Sequence, residues 1–265
     1  MPSNTPLVAD FHNHTCLSPC GSLELSPRVL AGIAAARGIN VLALTDHNSS
    51  LNCKAFAKVC PPLGILPLFG MEATTREEVH VLCLFPTLEA SLDFSAFAYS
   101  LIFPFPNNPA KTGDQVYVDE DDNIEGEVEF YLVSPLDLGV DEIGAKVAEY
   151  SGIVIPAHVD RAAFSMTSQL GVVVEGPWSA VECVRIPPLQ GEFLGGTGTE
   201  PLDTLGYPLI TSSDAHFPQH VGRRSFKLDA TLDEIAPRGL SGGVDMAVLT
   251  GALARRTLGT IAGKD

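Results

Sequence analysis

Nearly unbroken apolar runs alternate along the chain with segments whose apolar residues recur at helical spacing. The runs 39–45 (INVLALT) and 151–157 (SGIVIPA) are of the first kind, which is typical of parallel strands buried on both faces. Segment 26–38 (SPRVLAGIAAARG) is of the second kind, and Ser26 predicts where its helix begins and Gly38 where it ends. The alternation predicts an α/β fold built on a parallel sheet or barrel.

One section, from about residue 91 to residue 138, departs from this alternation. Segments 115–118 (QVYV) and 128–133 (VEFYLV) flank the acidic stretch DEDDNIEG, and together they predict a β-hairpin inserted into the fold. The acidic stretch does not fit a calcium-binding EF-hand loop, because Ile124 stands where that loop requires glycine. We therefore expect a solvated hairpin tip.

Histidines and carboxylates recur next to the apolar runs. A single histidine in such a place is usually a hydrogen-bonded core or loop residue. Six of the seven histidines share this placement, however, with acidic residues in matching positions, and this combination predicts a multinuclear metal centre. The candidate residues are His12, His14, Asp46, His47, Glu72, His80, His158, Asp214 and His216.

The spacing of these residues decides which side chains can share a site. In an extended segment, residues two apart lie on the same face, roughly 7 Å from each other. His12 and His14 can therefore aim at one place, and so can Asp214 and His216.

Adjacent residues of a strand point to opposite faces. At positions 46 and 47 we therefore assign His47 as the metal ligand and Asp46 as an outer partner that fixes its imidazole, with a helix N-cap as the alternative for Asp46. Glu182 is either a site residue at a strand end or an exposed one. We expect His220 to be a loop residue near the surface.

Length and composition indicate one large domain. A chain of 265 residues with 45% hydrophobic content can bury a sizeable core, and α/β barrels of this size often form a single domain. We therefore predict one domain over residues 1–265. No apolar stretch resembles a signal peptide or a membrane span, which predicts a cytoplasmic protein with no membrane partner.

The net charge of −16 bears on the partner. Binding to the phosphates of a duplex requires clustered lysine and arginine, so the charge argues against a nucleic-acid duplex. Divalent ions would reverse the local field of the site, so the charge does not exclude a small anionic substrate. The sequence does not indicate an oligomeric state.

Six short blocks along the chain carry a family resemblance. They are HNH (12–14), TDHN (45–48), GMEATT (70–75), VHVLCLF (79–85), PAHVDR (156–161) and SSDAH (212–216). In this order they resemble the polymerase and histidinol phosphatase family, the PHP domain, from Asp10 to about Arg224. The stretches HNHTCLSPCG and PAHVDRAAFSM resemble a stand-alone bacterial branch with a PHP-associated C-terminal segment, about 178–265 here. The resemblance implies a distorted seven-stranded β/α barrel with the metal site at its C-terminal mouth.

The resemblance also implies two to three divalent ions, for which zinc, iron and manganese suit the ligands equally well. Glu72 would bridge two of the ions. The first ion would be held by His12, His14, Glu72 and Asp214, the second by Glu72, His80 and His158, and the third by His47 and His216 with one further ligand.

That further ligand is where the sequence departs from the family pattern HSxxSDG. The corresponding stretch is HTCLSPCG, in which Pro19 occupies the place of the expected acid. Either Cys20 or Glu24 supplies the ligand instead, or the third site is weak or empty.

The implied chemistry is hydrolysis of a small phosphomonoester or nucleotide by a metal-activated water. Arg161 is the candidate for binding the phosphate, because its planar fork forms paired charge-assisted bonds to a phosphoryl group. The alternative is a rim arginine paired with Asp160 or another acid. Two other hypotheses stay open, which are a metallohydrolase that cleaves C–N bonds and a non-catalytic metal-bound regulatory domain.

Overall fold

A computed structural model describes residues 6–191, 198 and 200–256. The strands are β1 (Leu7–Asp10), β2 (Val41–Leu44), β3 (Leu66–Thr74), β4 (His80–Phe85), β5 (Val116–Val118), β6 (Ile124–Glu127), β7 (Ile153–Pro156), β8 (Val181–Glu182), β9 (Leu209–Ile210) and β10 (Phe226–Leu228). The α-helices are α1 (Pro27–Ala36), α2 (Cys53–Val59), α3 (Leu88–Ser100), α4 (Pro109–Thr112), α5 (Val140–Glu149), α6 (Met166–Leu170), α7 (Leu232–Ile235) and α8 (Met246–Ala254).

The main sheet has six strands in the order β10-β1-β2-β3-β4-β7. β1, β2 and β3 are parallel, whereas β4 is antiparallel to both of its neighbours, β3 and β7. β7 therefore runs in the same direction as the first three strands. Every residue of β2, β3 and β4 is buried, as expected for apolar strands covered on both faces.

The sheet is a curled half-barrel, and the seven-stranded barrel expected from the resemblance is not confirmed. β8 and β9 form a separate parallel pair of two residues each. Single bridges connect this end of the molecule to the main sheet, from Val154 to Trp178 and from Asn13 to Ala215. Strands this short cannot extend the continuous ladder that a closed barrel needs.

The first helix begins and ends as its sequence predicts. The Ser26 side chain accepts a hydrogen bond from the backbone N–H of Val29, and the helix ends at Ala36. Gly38 follows with a φ of 72°, a left-handed conformation that glycine adopts without steric cost. The helix buries Leu30 and its neighbours against the sheet.

The section 91–138 differs from its prediction. Its beginning belongs to α3, and the strand that pairs with β5 is Ile124–Glu127 instead of 128–133. The reason is local, because the Asp119 side chain accepts hydrogen bonds from the backbone N–H groups of Asp121 and Asn123 and closes a tight turn. Residues 128–133 are held instead by Gln115, whose amide bonds to the backbone of Val128, Phe130 and Leu132.

The C-terminal part is described up to residue 256. α8 buries Leu249 and Leu253 in the cluster that also holds β1 and β10. Residues 192–197, 199 and 257–265 of the predicted C-terminal segment lie outside the described residues. Over the described ranges, no helix combines the length and the apolar character that crossing a bilayer requires.

Candidate metal centre

One edge of the sheet collects the candidate ligands. The carboxyl ends of parallel strands meet at the same edge, and the amino end of the antiparallel β4 lies there too. Glu72 lies within β3, and a single backbone bridge pairs it with His47. The other ligands follow or begin neighbouring strands: His12 and His14 after β1, His47 after β2, His80 at the start of β4, His158 after β7, and Asp214 and His216 after β9.

Glu72 stands at the centre of this group, with only 1% of its side chain exposed. Each carboxylate oxygen faces more than one imidazole nitrogen. Oε1 lies 2.8 Å from Nδ1 of His80, 3.1 Å from Nε2 of His158 and 3.2 Å from Nε2 of His12, and Oε2 lies 3.1 Å from Nδ1 of His47 and 3.3 Å from Nε2 of His14.

Asp214 closes the outer side of the group and is 12% exposed. Its Oδ1 lies 3.3 Å from Nδ1 of His216, 3.5 Å from Nε2 of His14 and 3.6 Å from Nε2 of His12. The backbone at Asp214 is left-handed, with a φ of 47°. A non-glycine residue in this region costs energy, and such residues cluster at functional sites.

Glu182 supports the group from below and is 2% exposed. Its Oε2 accepts hydrogen bonds from Nδ1 of His12, at 2.9 Å, and from the backbone N–H of His158, at 3.0 Å. The sequence left open whether Glu182 is exposed or lies at the site, and the structure places it as a buried residue beside the candidate ligands. The hydrogen bond places the proton of His12 on Nδ1 and leaves Nε2 facing the cluster.

Ser18 plays the corresponding part for His14. Its hydroxyl donates to Oδ1 of Asp46 at 2.7 Å, so it can only accept from Nδ1 of His14, which lies 2.9 Å away. The same oxygen accepts from the backbone N–H of His47 at 3.1 Å. The proton of His14 is therefore also on Nδ1.

The expected partnership of Asp46 with the imidazole of His47 is wrong in its detail. The Asp46 carboxylate is taken up by Ser18 and by Thr15, whose backbone N–H and hydroxyl both donate at 2.6 Å. Side chains at adjacent positions diverge, which keeps the carboxylate on the far side of the strand. Asp46 therefore supports His14 through Ser18, and it is not a helix N-cap.

These hydrogen bonds make a cation the natural occupant of the group. The Nε2 atoms of His12 and His14 lie 3.1 Å apart. With both protons on Nδ1, two lone pairs face each other and also face the carboxylates of Glu72 and Asp214. Such a convergence of acceptors is unfavourable unless positive charge lies among them.

The pKa shifts of the protein without metal follow the same pattern. Burial lowers the pKa of His12, but the charges of Glu182, Glu72 and Asp214 outweigh it, and the pKa lies well above its usual value. The pKa of His14 is raised as well, because hydrogen bonds to Asp214 and Glu72 outweigh burial. His12 and His14 thus attract positive charge even when no metal is bound.

Three other imidazoles of the group, those of His47, His80 and His216, have pKa values that are shifted in the opposite direction. Burial lowers the pKa of His47 and of His80 below the ordinary value, and the attraction of Glu72 does not restore it. Burial and the charge of His14 lower the pKa of His216 to about 3. These imidazoles are neutral near pH 7, which is the protonation state that a metal ligand needs.

Ligand atoms lie within 4.8 Å of one another in four groups among the described residues. The groups are His14 with His47 and His216; His12 with His14 and Asp214; His12 with Glu72 and His158; and His47 with Glu72 and His80. The eight predicted ligands are thus all brought together, and His14 stands where the third site lacks a ligand. Neither Cys20 nor Glu24 belongs to any group among the described residues.

Arg161 lies at the rim of the group and is 44% exposed. Its Nη1 donates to Oδ2 of Asp214 at 3.1 Å. Asp160 is not its partner, because the Asp160 carboxylate accepts from the backbone N–H of Val184. His220 lies in the short 3-10 helix Pro218–His220, four residues after His216, and it belongs to none of the ligand groups among the described residues.

Glu182, Ser18 and Thr15 are the site residues that sequence reasoning missed or left open. Glu182 ends an apolar strand, a signal that could have placed it with the ligands. Ser18 and Thr15 carry no comparable signal, because their role depends on contacts with Asp46, 28 and 31 residues away in the chain.

Comparisons with known proteins agree with this architecture. The sequence model of the PHP domain matches residues 10–122. Comparison with curated proteins finds no match. Among solved structures, a presumed metal-dependent phosphoesterase from Bifidobacterium adolescentis has 19% identity and a TM-score of 0.55, over 93% of this chain and 99% of that one.

A lesion-specific endonuclease from Pyrococcus furiosus is similar as well, with 17% identity and a TM-score of 0.55. The similarity covers 84% of this chain and 52% of the endonuclease, so this chain spans about half the length of that protein. An endonuclease Q complex with a 27-mer duplex that has an abasic lesion at the active site gives 17% identity and a TM-score of 0.52, over 80% of this chain and 49% of that one.

The last structure corrects one expectation. We expected a small phosphorylated substrate and excluded a nucleic-acid duplex as the partner. This expectation is wrong, because endonuclease Q, which has a similar fold, binds a duplex with an abasic lesion at its active site. Whole-chain charge was a poor guide, since the field at a site is set by nearby ions and rim arginines rather than by the net charge of −16.

The matched stretch contains five of the eight predicted ligands, from His12 to His80, whereas His158, Asp214 and His216 lie beyond it. The likeness to solved structures, at identities below 20%, concerns the fold. The sequence comparison thus shows a match to the PHP-domain model over residues 10–122, and the comparison with solved structures shows a similar fold.

Proposed function

We propose that this protein is a metal-dependent phosphoesterase that hydrolyses a phosphomonoester and so releases a terminal phosphate. The proposal does not specify the size of the rest of the substrate. One observation carries the proposal. Nitrogen atoms of five histidines lie 2.8–3.3 Å from the carboxylate oxygens of the central Glu72, beside an arginine at the rim. The match to the PHP-domain model supports a metal-dependent hydrolase.

The residues suited to hold divalent ions are the eight predicted ligands, arranged around Glu72 as the shared carboxylate. When bound, such ions supply an activated water and stabilise the charge of the phosphoryl oxygens. Zinc, iron and manganese all accept this mixture of imidazole and carboxylate ligands. Two ions fit the inner groups around Glu72, and a third fits His14, His47 and His216.

The chain's own residues would orient the ligands and the substrate. Glu182 and Ser18 hold the Nε2 atoms of His12 and His14 toward the centre. Arg161, which donates to Asp214, has an exposed guanidinium with further N–H groups available for a phosphoryl oxygen. An anionic substrate at the rim would find there a guanidinium that can bind it bidentately.

The test is a substrate panel with the protein loaded separately with Mn²⁺, Zn²⁺ and Fe²⁺. The panel contains p-nitrophenyl phosphate, bis-p-nitrophenyl phosphate, p-nitroacetanilide, a duplex with a 5′-terminal phosphate, and a duplex with an abasic lesion. We expect release of inorganic phosphate from p-nitrophenyl phosphate or from the duplex end, and inhibition by inorganic phosphate.

Cleavage of the anilide alone would contradict the proposal in favour of C–N bond hydrolysis. Cleavage of the diester or of the lesion strand without release of phosphate would replace the monoesterase by a nuclease. A variant with Glu72→Gln is the control for contaminating phosphatase, because it keeps the volume of the side chain and removes the shared charge.

A further inference from the structure

A second cavity, of about 500 Å³, opens on the side of the molecule where the hairpin β5-β6 packs against α3. None of the candidate metal ligands lines it. Its walls combine α2, α3 and the hairpin, which contribute Lys54, Tyr99 and Tyr117 among others. Its volume lies within the range of about 300–1,000 Å³ that is common for small-molecule sites.

The floor of the cavity is apolar. Leu51, Leu92 and Val128 line it together with the rings of Tyr99 and Tyr117. The Tyr99 ring is held in place, because it stacks on Phe130 at 5.8 Å and its hydroxyl accepts from the backbone N–H of Phe130. A fixed aromatic wall of this kind accommodates an aromatic or branched aliphatic group.

The rim of the cavity carries charges of both signs. Lys54 lies on α2, Glu127 on β6, and Glu129 just beyond it. No ion pair links any of these three residues to another side chain in the described part of the chain. By contrast, Lys58 on the same helix pairs with Glu120 at 2.7 Å. The rim therefore offers one ammonium and two carboxylates whose charges are free for a ligand.

We propose that this cavity binds a small zwitterion with an apolar body, of the chemical class of an amino acid with an aromatic or branched side chain. The apolar body would lie on the two tyrosine rings. Its ammonium group would face Glu127 and Glu129, and its carboxylate would face Lys54. A ligand with both charges satisfies the three rim residues, whereas a ligand with only one leaves the opposite charge unpaired beside apolar surface.

The cavity lies close in sequence to one residue of the histidine group but does not include any of its candidate ligands. Ser49 and Leu51 line the cavity, and they follow His47 by two and four residues. Asn48, between them and the metal centre, is fully buried and is bonded to the backbone of Thr74, Leu132 and Ser134. One short chain segment, residues 47–51, thus contributes to both the cavity and the histidine group, but the two are separate sites. The proposal does not depend on phosphoesterase activity.

The experiment measures binding of L-phenylalanine to the whole protein by calorimetry and ligand-observed NMR. Phenethylamine and 3-phenylpropanoate are the matched probes, since each lacks one of the two charges. We expect saturable binding of phenylalanine, and binding about tenfold weaker or more for each single-charge probe.

Variants assign the binding to the cavity. Ala96 lines the cavity from an exposed position of α3, so Ala96→Trp should fill it, abolish binding and leave the fold intact by circular dichroism. Lys54→Gln and the double variant Glu127→Gln/Glu129→Gln should each weaken phenylalanine binding about tenfold. Glu125→Gln, on the same strand but outside the lining, should not.

Absence of saturable phenylalanine binding overturns the proposal, and so does binding that survives Ala96→Trp unchanged. A single-charge probe that binds as tightly as phenylalanine overturns the assignment to a zwitterion.

Discussion

The two sides of the histidine group are built differently. On the side of His12 and His14, each outer nitrogen has a buried hydrogen-bond partner, Glu182 or Ser18. On the side of His80 and His158, the outer nitrogens are buried without a hydrogen-bond partner among the described residues. The pKa values diverge in the same sense, since those of His12 and His14 are raised and that of His80 is lowered.

This difference teaches which part of the centre is preorganised. Partners on the outer nitrogens fix the tautomer and the ring orientation of a ligand and raise its basicity. The side of His12 and His14 therefore needs little rearrangement to accept a cation. The side of His80 and His158 is held mainly by Glu72, the residue that both sides share. We expect the first side to bind its ion more tightly.

The largest effect should come from removing the shared carboxylate. Glu72→Gln keeps the side-chain volume but removes the charge that faces five imidazoles, so both sides should lose affinity. We expect a loss of more than about one equivalent of metal and of all metal-dependent activity. Metal analysis of the purified variant is the measurement, with Asp93→Asn, an exposed carboxylate change on α3, as control. A full metal complement in Glu72→Gln would disprove the ligand assignment.

Arg161 should affect activity without affecting metal. Arg161→Ala removes the rim guanidinium, and we expect kcat/KM for phosphomonoesters to fall about a hundredfold if the side chain contacts the transferring phosphoryl group. Metal content should stay as in the wild type. Loss of metal together with activity would instead mean that Arg161 serves to hold Asp214, to which it donates at 3.1 Å.

The next effect separates the two sides. Glu182→Gln removes the charge behind His12, and Ser18→Ala removes the acceptor behind His14. Each should weaken the tightest ion by about 10- to 100-fold, the usual cost of losing a partner of a ligating histidine. Competition with a fluorescent chelator measures this, and the exposed Glu175→Gln is the matched control. Unchanged affinity in both variants would remove the asymmetry between the sides.

How much of this site follows from sequence depends on the distance along the chain. The convergence of the eight candidate ligands could be predicted because each adjoins an apolar strand, and parallel strands end at one edge. The partners could not, since Glu182 meets His12 across 170 residues and its role depends on how β8 packs. The section 91–138 was misplaced for a similar reason, because a side-chain turn at Asp119 decides which residues pair with β5.

His216 should have a smaller effect than these residues. It is 19% exposed, and it belongs to one ligand group only, with His14 and His47. We therefore expect His216→Ala to remove about one equivalent of the weakly held metal at most and to leave the tightest ion in place. Titration with metal, followed by dialysis, distinguishes the two classes of ion. Loss of the tightest ion would show that the sides do not act separately.

The smallest effect concerns Cys20, which lies outside the ligand groups but close enough to sense their charges. Although Cys20 is exposed as a residue, partial desolvation of its thiol, and then the charge of Glu72, raise the pKa of the thiol to about 12. Without metal, alkylation by iodoacetamide should therefore be slow at pH 8 and should rise about tenfold per pH unit, because only the thiolate reacts.

Bound cations offset the charges of Glu72 and Asp214, so metal should lower the pKa of Cys20 and speed its alkylation by about a few-fold at fixed pH. The other five cysteines are buried, and Cys20→Ser gives the background. Protection of Cys20 by metal would be the opposite result, and it would make the thiolate the missing ligand of the third ion. The third site would then depend on the 16–20 loop, and His14 would belong to the first side alone.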